Sequence, residues 1–402
     1  MKRRIGAWTL AVLLAAAAQT GAAELAGLDI HGFISQGFLK SDDNNYQGDS
    51  EDGSFQFNEL GINFSKDLSD GLRIGLQLFS RDLGPVGNNA VEIDWAYGDY
   101  RWRDWLGARV GLMKMAHGLY NDTRDVDMLR TWVLLPQSVY METTRDYYTR
   151  MWGAELYGDI PLPSVGSVNY RALVGTYSPD ADDSGLSVFI EDYGLPSDVQ
   201  SFDNGVQYNG SLQWHTPLTG LRLGVTHWHQ KNFTADVKTN VPLGPAVPAG
   251  TNVGVDIENE VTVLSAEYVR EDLILAAEFR HRETAIDGVA DIMPRQVTES
   301  HAWYVSAAYR LSPLVELGTY YSESYPNKDD RDGDRFVARD QARFRAWQKD
   351  FALTTRFDLS ESWTLKLEGH RMNGVADLFP QYNPDGFEED WYLFATKMTF
   401  SF

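Results

Sequence analysis

Segments of about ten residues that alternate apolar with polar positions recur along almost the whole chain, joined in strict turn by short and long connections. The short connections are LSDG (Leu68 to Gly71), WRDW (Trp102 to Trp105), PLPSVG (Pro161 to Gly166), TPLTG (Thr216 to Gly220), RED (Arg270 to Asp272), LSP (Leu311 to Pro313) and LSES (Leu359 to Ser362), seven in all. The eight long ones are Ser41 to Gly53, Leu83 to Ala90, His117 to Tyr148, Ser178 to Asn204, Asn232 to Glu258, Ile286 to Ser300, Glu323 to Gln341 and Gly374 to Asp390. Successive side chains of a strand point to opposite faces, so the alternation marks strands with one greasy face and one polar face. Eight long and seven short connections make about sixteen strands, with both ends on the short-turn side.

Two architectures share this pattern. In a soluble sandwich the apolar parity is the core; in a transmembrane barrel it faces lipid and the polar parity faces the lumen. Hydropathy does not choose between them: the mean of -0.35 excludes spanning helices, and no internal apolar run reaches the roughly 18 residues such a helix needs. Other cues favour the barrel. Lys2, Arg3 and Arg4 precede an apolar run from Trp8 to Ala18 and small residues at Gly21, Ala22 and Ala23, the order of a cleaved secretory leader over residues 1–23. Aromatics cluster near strand ends, at Trp95, Tyr97, Trp102, Trp105, Trp152, Trp214, Tyr309 and Trp363. The expected fold is all-β: one antiparallel transmembrane barrel over residues 24–402.

Loss of the three basic leader residues takes the formal charge from -22 to -25, which argues against nucleic acid as a partner, since phosphate binding needs a basic face. With 0 cysteines there are no disulfides, no thiolate chemistry and no Cys-based metal site.

The chain ends in WYLFATKMTFSF, where Tyr392, Phe394, Met398, Phe400 and Phe402 share one parity and Lys397, Thr399 and Ser401 the other. With its leader, its early strand LDIHGFISQGF, its strand count, its long third connection and this ending, the chain resembles the porins of Gram-negative outer membranes. The resemblance implies that Phe400 and Phe402 form the signal read by the barrel-assembly machinery, and that the last strand pairs with the first. It implies outer-membrane lipid and lipopolysaccharide as surroundings, a homotrimer, and small hydrophilic solutes as cargo. No cofactor is expected.

The segment KMAHGLYNDTRDVDMLRTWVLLPQSVY, Lys114 to Tyr140, breaks the strand rhythm most, with Asp122, Arg124, Asp125, Asp127 and Arg130 ahead of the apolar WVLLP. In porins the third loop folds into the lumen and narrows it, so by resemblance this segment is the candidate constriction. The alternative is an external loop packed on its neighbours. Strand parity places Arg73, Arg81, Arg109, Arg171, Arg222, Arg280, Arg310, Arg356 and Lys366 on the polar wall, with Glu92 and Asp94 among its acids. An acidic mouth and a wall rich in arginine pull ion selectivity in opposite directions.

The leading expectation is a passive channel for small hydrophilic solutes and ions; the alternatives are a channel selective for small carboxylates or other anions, a rim hydrolase, and a structural or adhesive barrel. Catalysis finds little support, because no GxSxG, HExxH or P-loop is present. His227 and His229 share the parity of Leu221, Leu223 and Val225, which turns them toward lipid rather than into a metal site.

Overall fold

The computed structural model describes residues 27–402, except residues 85, 183, 194–196, 244, 246 and 288–293. The expected leader, residues 1–23, lies outside the described residues. In chain order the strands are β1 (Asp29–Ser41), β2 (Phe57–Ser69), β3 (Leu72–Leu83), β4 (Val91–Arg103), β5 (Leu106–Lys114), β6 (Arg150–Leu162), β7 (Gly166–Tyr177), β8 (Ser197–Asp203), β9 (Gly205–His215), β10 (Leu221–Thr239), β11 (Asn252–Arg270), β12 (Leu273–Asp287), β13 (Gln296–Arg310), β14 (Val315–Tyr325), β15 (Gln348–Asp358), β16 (Trp363–Gly374) and β17 (Asp390–Ser401).

All seventeen segments belong to one antiparallel sheet. β8 and β9 occupy a single place in it, because β10 pairs with β9 over Arg222–Lys231 and with β8 over Thr234–Thr239. Sixteen strands therefore form the ring. It closes where β1 pairs with β17, from Phe33 opposite Ser401 to Ser41 opposite Leu393. The ladder runs to the final residue: Phe402 N–H donates to the Gly32 carbonyl at 3.0 Å and Gly32 N–H donates to the Phe402 carbonyl at 3.1 Å. Inside the seam the hydroxyls of Ser35 and Thr399 meet at 2.8 Å. A closed ring leaves no strand edge with unpaired backbone groups, the condition hydrocarbon imposes.

The two parities separate as the sequence predicts. Leu76, Val110, Leu156, Val174, Leu212, Leu264, Val305, Leu353, Tyr392 and Phe394 are exposed on the outside, while Gln77, Asp94, Glu155, Gln207, Glu278, Lys366 and Thr399 are buried. An exposed apolar band encircling a molecule requires an apolar surrounding. At the short-turn end, Trp102 and Trp105 pack edge to face with centroids 5.8 Å apart, and Trp214 donates its indole N–H to the Val165 carbonyl at 2.7 Å. Such rings suit a boundary that is greasy on one side and wet on the other.

Each of the seven short connections is found where the sequence places it. Gly166 shows why its turn is tight: its φ is +97°, and a Cβ there would lie 1.9 Å from the His215 carbonyl oxygen. Three expectations need correction. The connection Asn232 to Glu258 is mostly strand, because β10 and β11 run for 19 residues each and leave only residues 240–251 between them. A bulge between Gln230 and Phe233, with Asn232 at φ +54°, resets the parity so that Phe233, Ala235 and Val237 turn inward and stay buried. The connection Ser178 to Asn204 likewise contains β8. Finally, the inner wall is not polar throughout: Leu173, Trp228, Val261, Val263, Tyr304, Tyr320, Trp391 and Leu393 face inward and are buried. Trp228, Tyr304 and Tyr320 pack on Tyr147, Tyr140 and Trp132 of the third long connection, and Trp391 on Tyr46 of the first.

Candidate functional site

Residues 115–149, between β5 and β6, carry only a 3-10 turn at Asp127–Leu129 and a helical turn at Arg145–Tyr148. A segment this long without its own ladder must satisfy its backbone elsewhere. It does so on the inward side chains of the wall. The N–H groups of Val133 and Leu134 donate to the Glu368 carboxylate at 2.9 and 2.8 Å. Lys366 donates to the carbonyls of Asp127 and Trp132 at 2.7 and 3.1 Å. Thr131 donates to Glu316 at 2.7 Å, Leu119 N–H to Glu278 at 2.9 Å, and Asn209 bridges both backbone groups of Ala116 at 2.8 Å. Strands β9, β12, β14 and β16 thus hold one and the same loop. Its apolar run packs on the same wall: Trp132 lies edge to face with Tyr320 at 5.3 Å, beside Gly318, where a Cβ would come within 2.5 Å of the indole.

The five loop charges separate into two kinds. Asp127 is fully buried, 3.0 Å from Lys366, 3.5 Å from Lys397 and 3.4 Å from Arg130, and accepts a hydrogen bond from Thr399 at 2.8 Å. Burial alone would raise its carboxyl, but Lys366, Lys397 and Arg130 hold it well below the usual carboxylate range. Arg124 is also fully buried and pairs with Glu142 at 2.6 Å. Arg130 donates to backbone carbonyls of Arg124 and Val133. These three anchor the loop. Asp122 instead is half exposed and binds Arg171 through both oxygens at 2.8 and 3.0 Å, while Asp125 is buried between Lys114 and Arg145.

Asp122 and Asp125 border a cavity of about 600 Å³, which Arg73, Arg109, Arg171 and Asp99 also line. A second cavity of about 560 Å³ shares Arg73, Asp99, Arg109 and Tyr157 with it and reaches the turn between β2 and β3. Arg109 stacks on Tyr157 at 4.1 Å and pairs with Asp99 at 2.9 Å and Glu155 at 3.1 Å, so its fork is fixed across the cavity wall.

The remaining wall residues lie outside these cavities. Arg81 pairs with Glu142 and Asp146 of the loop at 3.5 and 2.9 Å. Arg222 pairs with Glu267 at 2.7 Å; Arg310 and Arg356 share Asp358 at 2.7 and 2.8 Å. Glu92 binds Arg150, and Asp94 lies 2.8 Å from Lys114. Arg280 makes no hydrogen bond or ion pair with a described residue. His227 and His229 sit on the outer face, within hydrogen-bond distance of Thr262 at 3.0 Å and Glu258 at 2.8 Å, and no group of three possible metal ligands occurs among the described residues.

No family model matches the chain, and no curated protein matches it in sequence. Solved structures do match it. The outer-membrane-expressed OmpT of Vibrio cholerae aligns at TM-score 0.57 and 10% identity, covering 93% of this chain and 97% of that chain. OmpF of Salmonella typhi, in complex with daunomycin, aligns at TM-score 0.56 and 13% identity over 93% and 97%. An anion-selective porin from Comamonas acidovorans aligns at TM-score 0.52 and 11% identity over 93% and 99%. The fold is that of the outer-membrane porins.

Within this porin fold, sequence reading overlooked several groups that hold the loop: Glu142, Arg145 and Asp146 on the loop itself, and Arg150 at the start of β6. It also overlooked Arg282, although its parity is that of Arg280 and was readable. Asp350 and His370, 3.0 Å apart on the inner wall beside Glu368, were hidden because their mates lie on neighbouring strands.

Proposed function

We propose that this chain forms a water-filled channel in the outer membrane, through which small hydrophilic solutes and ions diffuse, with residues 115–149 folded into the barrel interior as its constriction. The observation that carries this reading is the pair of adjoining cavities that share Arg73, Arg109 and Asp99, the first of them lined also by Arg171 of the wall and by Asp122 and Asp125 of the loop, inside a ring whose outer face is apolar. Charges of both signs along a narrow water path orient water and dipolar solutes and disfavour apolar ones. Asp122 and Arg171 are the charged pair at its edge, while Asp127, Arg124 and Arg130 set the position of the loop.

The same reading takes residues 1–23 as a cleaved leader and Phe400 and Phe402 as the lipid-facing signal for the barrel-assembly machinery. Phe402 supports that role by completing the seam ladder. It places lipid and lipopolysaccharide around the exposed apolar band and three copies in the working assembly. A trimer form is described for the Vibrio cholerae OmpT. Reconstitution in planar bilayers tests the channel: stepwise current is the expected result, and a folded barrel that inserts without current overturns it. Cross-linking in outer-membrane vesicles tests the trimer, a ladder ending at the monomer being the adverse result.

A further inference from the structure

One outward glycine leaves a hollow in the apolar band. Gly369 of β16 lies between Leu353 of β15 and Phe394 of β17, and the next outward row is Phe351, Arg371 and Tyr392. Leu353, Phe394, Phe351 and Tyr392 are exposed on the outer face. With Gly369 and Arg371 they line a cavity of about 580 Å³ that extends to Lys40, opposite Phe394 near the end of β1. A Cβ on Gly369 would meet nothing within 4 Å, so no neighbour in the chain demands a glycine there. Its strand is in unbroken register on both sides, so it marks no bulge. A glycine inside a strand forfeits packing, and where no bulge or bend explains it the position suits the close approach of a ligand.

The rim of the hollow is cationic. Arg371 and Lys40 are both exposed, and no described carboxylate lies within 4.0 Å of either. Arg371 makes no hydrogen bond with a described residue, and Lys40 donates to the Glu51 carbonyl. The nearby acids are engaged elsewhere: Asp42 accepts from the Tyr392 N–H at 2.7 Å, and Asp390 from Asn373 at 3.2 Å. Depth fits a headgroup. Arg371 lies eight residues beyond Trp363, about 26 Å along β16 at roughly 3.3 Å per residue, and on a tilted strand this is near the top of an apolar band about 25 Å tall.

We infer that this hollow is a docking site for one phosphorylated lipid of the leaflet on the long-loop side, its phosphate on Arg371 and Lys40 and one of its alkyl chains over Gly369, between Leu353 and Phe394. This rests on the outer-membrane reading and goes beyond it, from lipid as a surrounding to a lipid held at one place. Phosphate fits the planar guanidinium fork at two points, and the Lys40 ammonium adds a point charge beside it. The apolar walls below take the chain, whose burial adds to the electrostatic attraction. A second copy of this chain suits the hollow less well. Packed against it, that copy would bury two cations that have no carboxylate partner, and an uncompensated buried charge is costly.

The test is native mass spectrometry of the full folded barrel, exposed in detergent to phosphatidic acid, phosphatidylcholine, diacylglycerol or inorganic phosphate, which needs no current through the pore. One phosphatidic acid should be retained about tenfold more tightly than phosphatidylcholine, and diacylglycerol and inorganic phosphate, each lacking half of the chemistry, should bind more weakly still. Arg371→Gln with Lys40→Gln should weaken phosphatidic acid by about tenfold or more and remove its preference over phosphatidylcholine. Gly369→Leu, which fills the hollow and keeps both cations, should weaken phosphatidic acid several-fold. Folding of each variant is checked by heat-modifiable migration. If the double variant does not fold, the single Arg371→Lys, which keeps charge but loses the fork, and Gly369→Leu decide the matter. Equal retention of phosphatidic acid and phosphatidylcholine by the wild type, or unchanged retention in the variants, overturns the site. Variants that lose an oligomer while retaining lipid as the wild type does assign the hollow to a second copy and also overturn it. Conductance run in parallel keeps the readings apart: current without lipid preference removes the site and leaves the channel, and lipid preference without current does the reverse.

Discussion

Two aspartates five residues apart on one loop have opposite duties. Asp122 is half exposed at a cavity edge and held by a single arginine, so its replacement should alter the pore without disturbing the barrel. In Asp122→Asn the reversal potential in a salt gradient should move toward anions. The shift should persist at roughly 1 M salt, where the Debye length is about 3 Å and charges on an outer loop are screened out. A reversal potential equal to wild type would remove Asp122 from the permeation path. Asp127 sits instead among Lys366, Lys397 and Arg130 with no exposed surface. Lys366→Ala deletes one charge from that cluster and leaves two loop carbonyls without their donor. Breaking a buried pair costs about 3–5 kcal/mol, and the remaining Lys397 should keep the loss near the lower figure. Denaturant unfolding followed by tryptophan fluorescence measures it, and a loss below about 1 kcal/mol would show that Lys366 does not anchor the loop. Gly318→Val tests the same anchorage sterically. The new side chain would have to displace the Trp132 indole, for about 1–3 kcal/mol, and the loop should become more open to protease in the folded barrel.

At the level of strands and loops, the sequence displays what a period of two can display. The turns were legible because Gly, Pro, Asp and Ser interrupt the alternation there, and the outer face was legible because lipid contact admits few polar side chains. The inner face was less so. Ile274 and Ala276 blur β12 because they share the inward parity with Glu278 and Arg280, and both still lie inside. On β10 the inward Trp228 and Phe233 are apolar because they meet Tyr147 of the loop, a pairing that no local pattern announces. Loop charges were found as a cluster, but their division into anchors and exposed groups depends on partners such as Lys366 and Lys397, more than 200 residues away in sequence. The seam supports a prediction on the same scale. Phe402→Asp places a charge on the outward parity where the ring closes, beside Phe400 at 6.1 Å. Heat-modifiable barrel in the outer membrane should fall several-fold, with unfolded chain accumulating before insertion; wild-type levels would make the terminal ring incidental.

For the molecule as a whole, acidity should loosen the loop before it opens the ring. His117 is buried, and burial lowers its pKa to about 3 from the usual 6.5. It stays neutral when folded and takes a proton when unfolded, so the stability it supports is complete above about 6.5 and declines as pH falls toward 3. Glu142 adds to this lower down: burial would raise its carboxyl, but Arg124, Arg145 and Arg81 bring it to about 2 from 4.5, so its contribution fades across that interval. Asp377 works the other way, since burial raises it to about 6 from 3.8 and its ionised form is disfavoured as pH rises through that range. With His117, Glu142, Asp125 and Asp127 all on one loop, the net expectation is a lower unfolding midpoint and faster proteolysis of residues 115–149 as pH drops below about 6. A midpoint that rises on acidification would refute this.

The joining of β1 to β17 also sets a schedule. The first strand to leave the ribosome waits for the last, some 360 residues later, before either edge is filled. Contacts so distant in sequence are slow to form, and every partial sheet on the way presents an open edge that invites pairing with other chains. Both edges of the growing sheet therefore stay open until synthesis is complete, and only the pairing of β1 with β17 fills them, both at once.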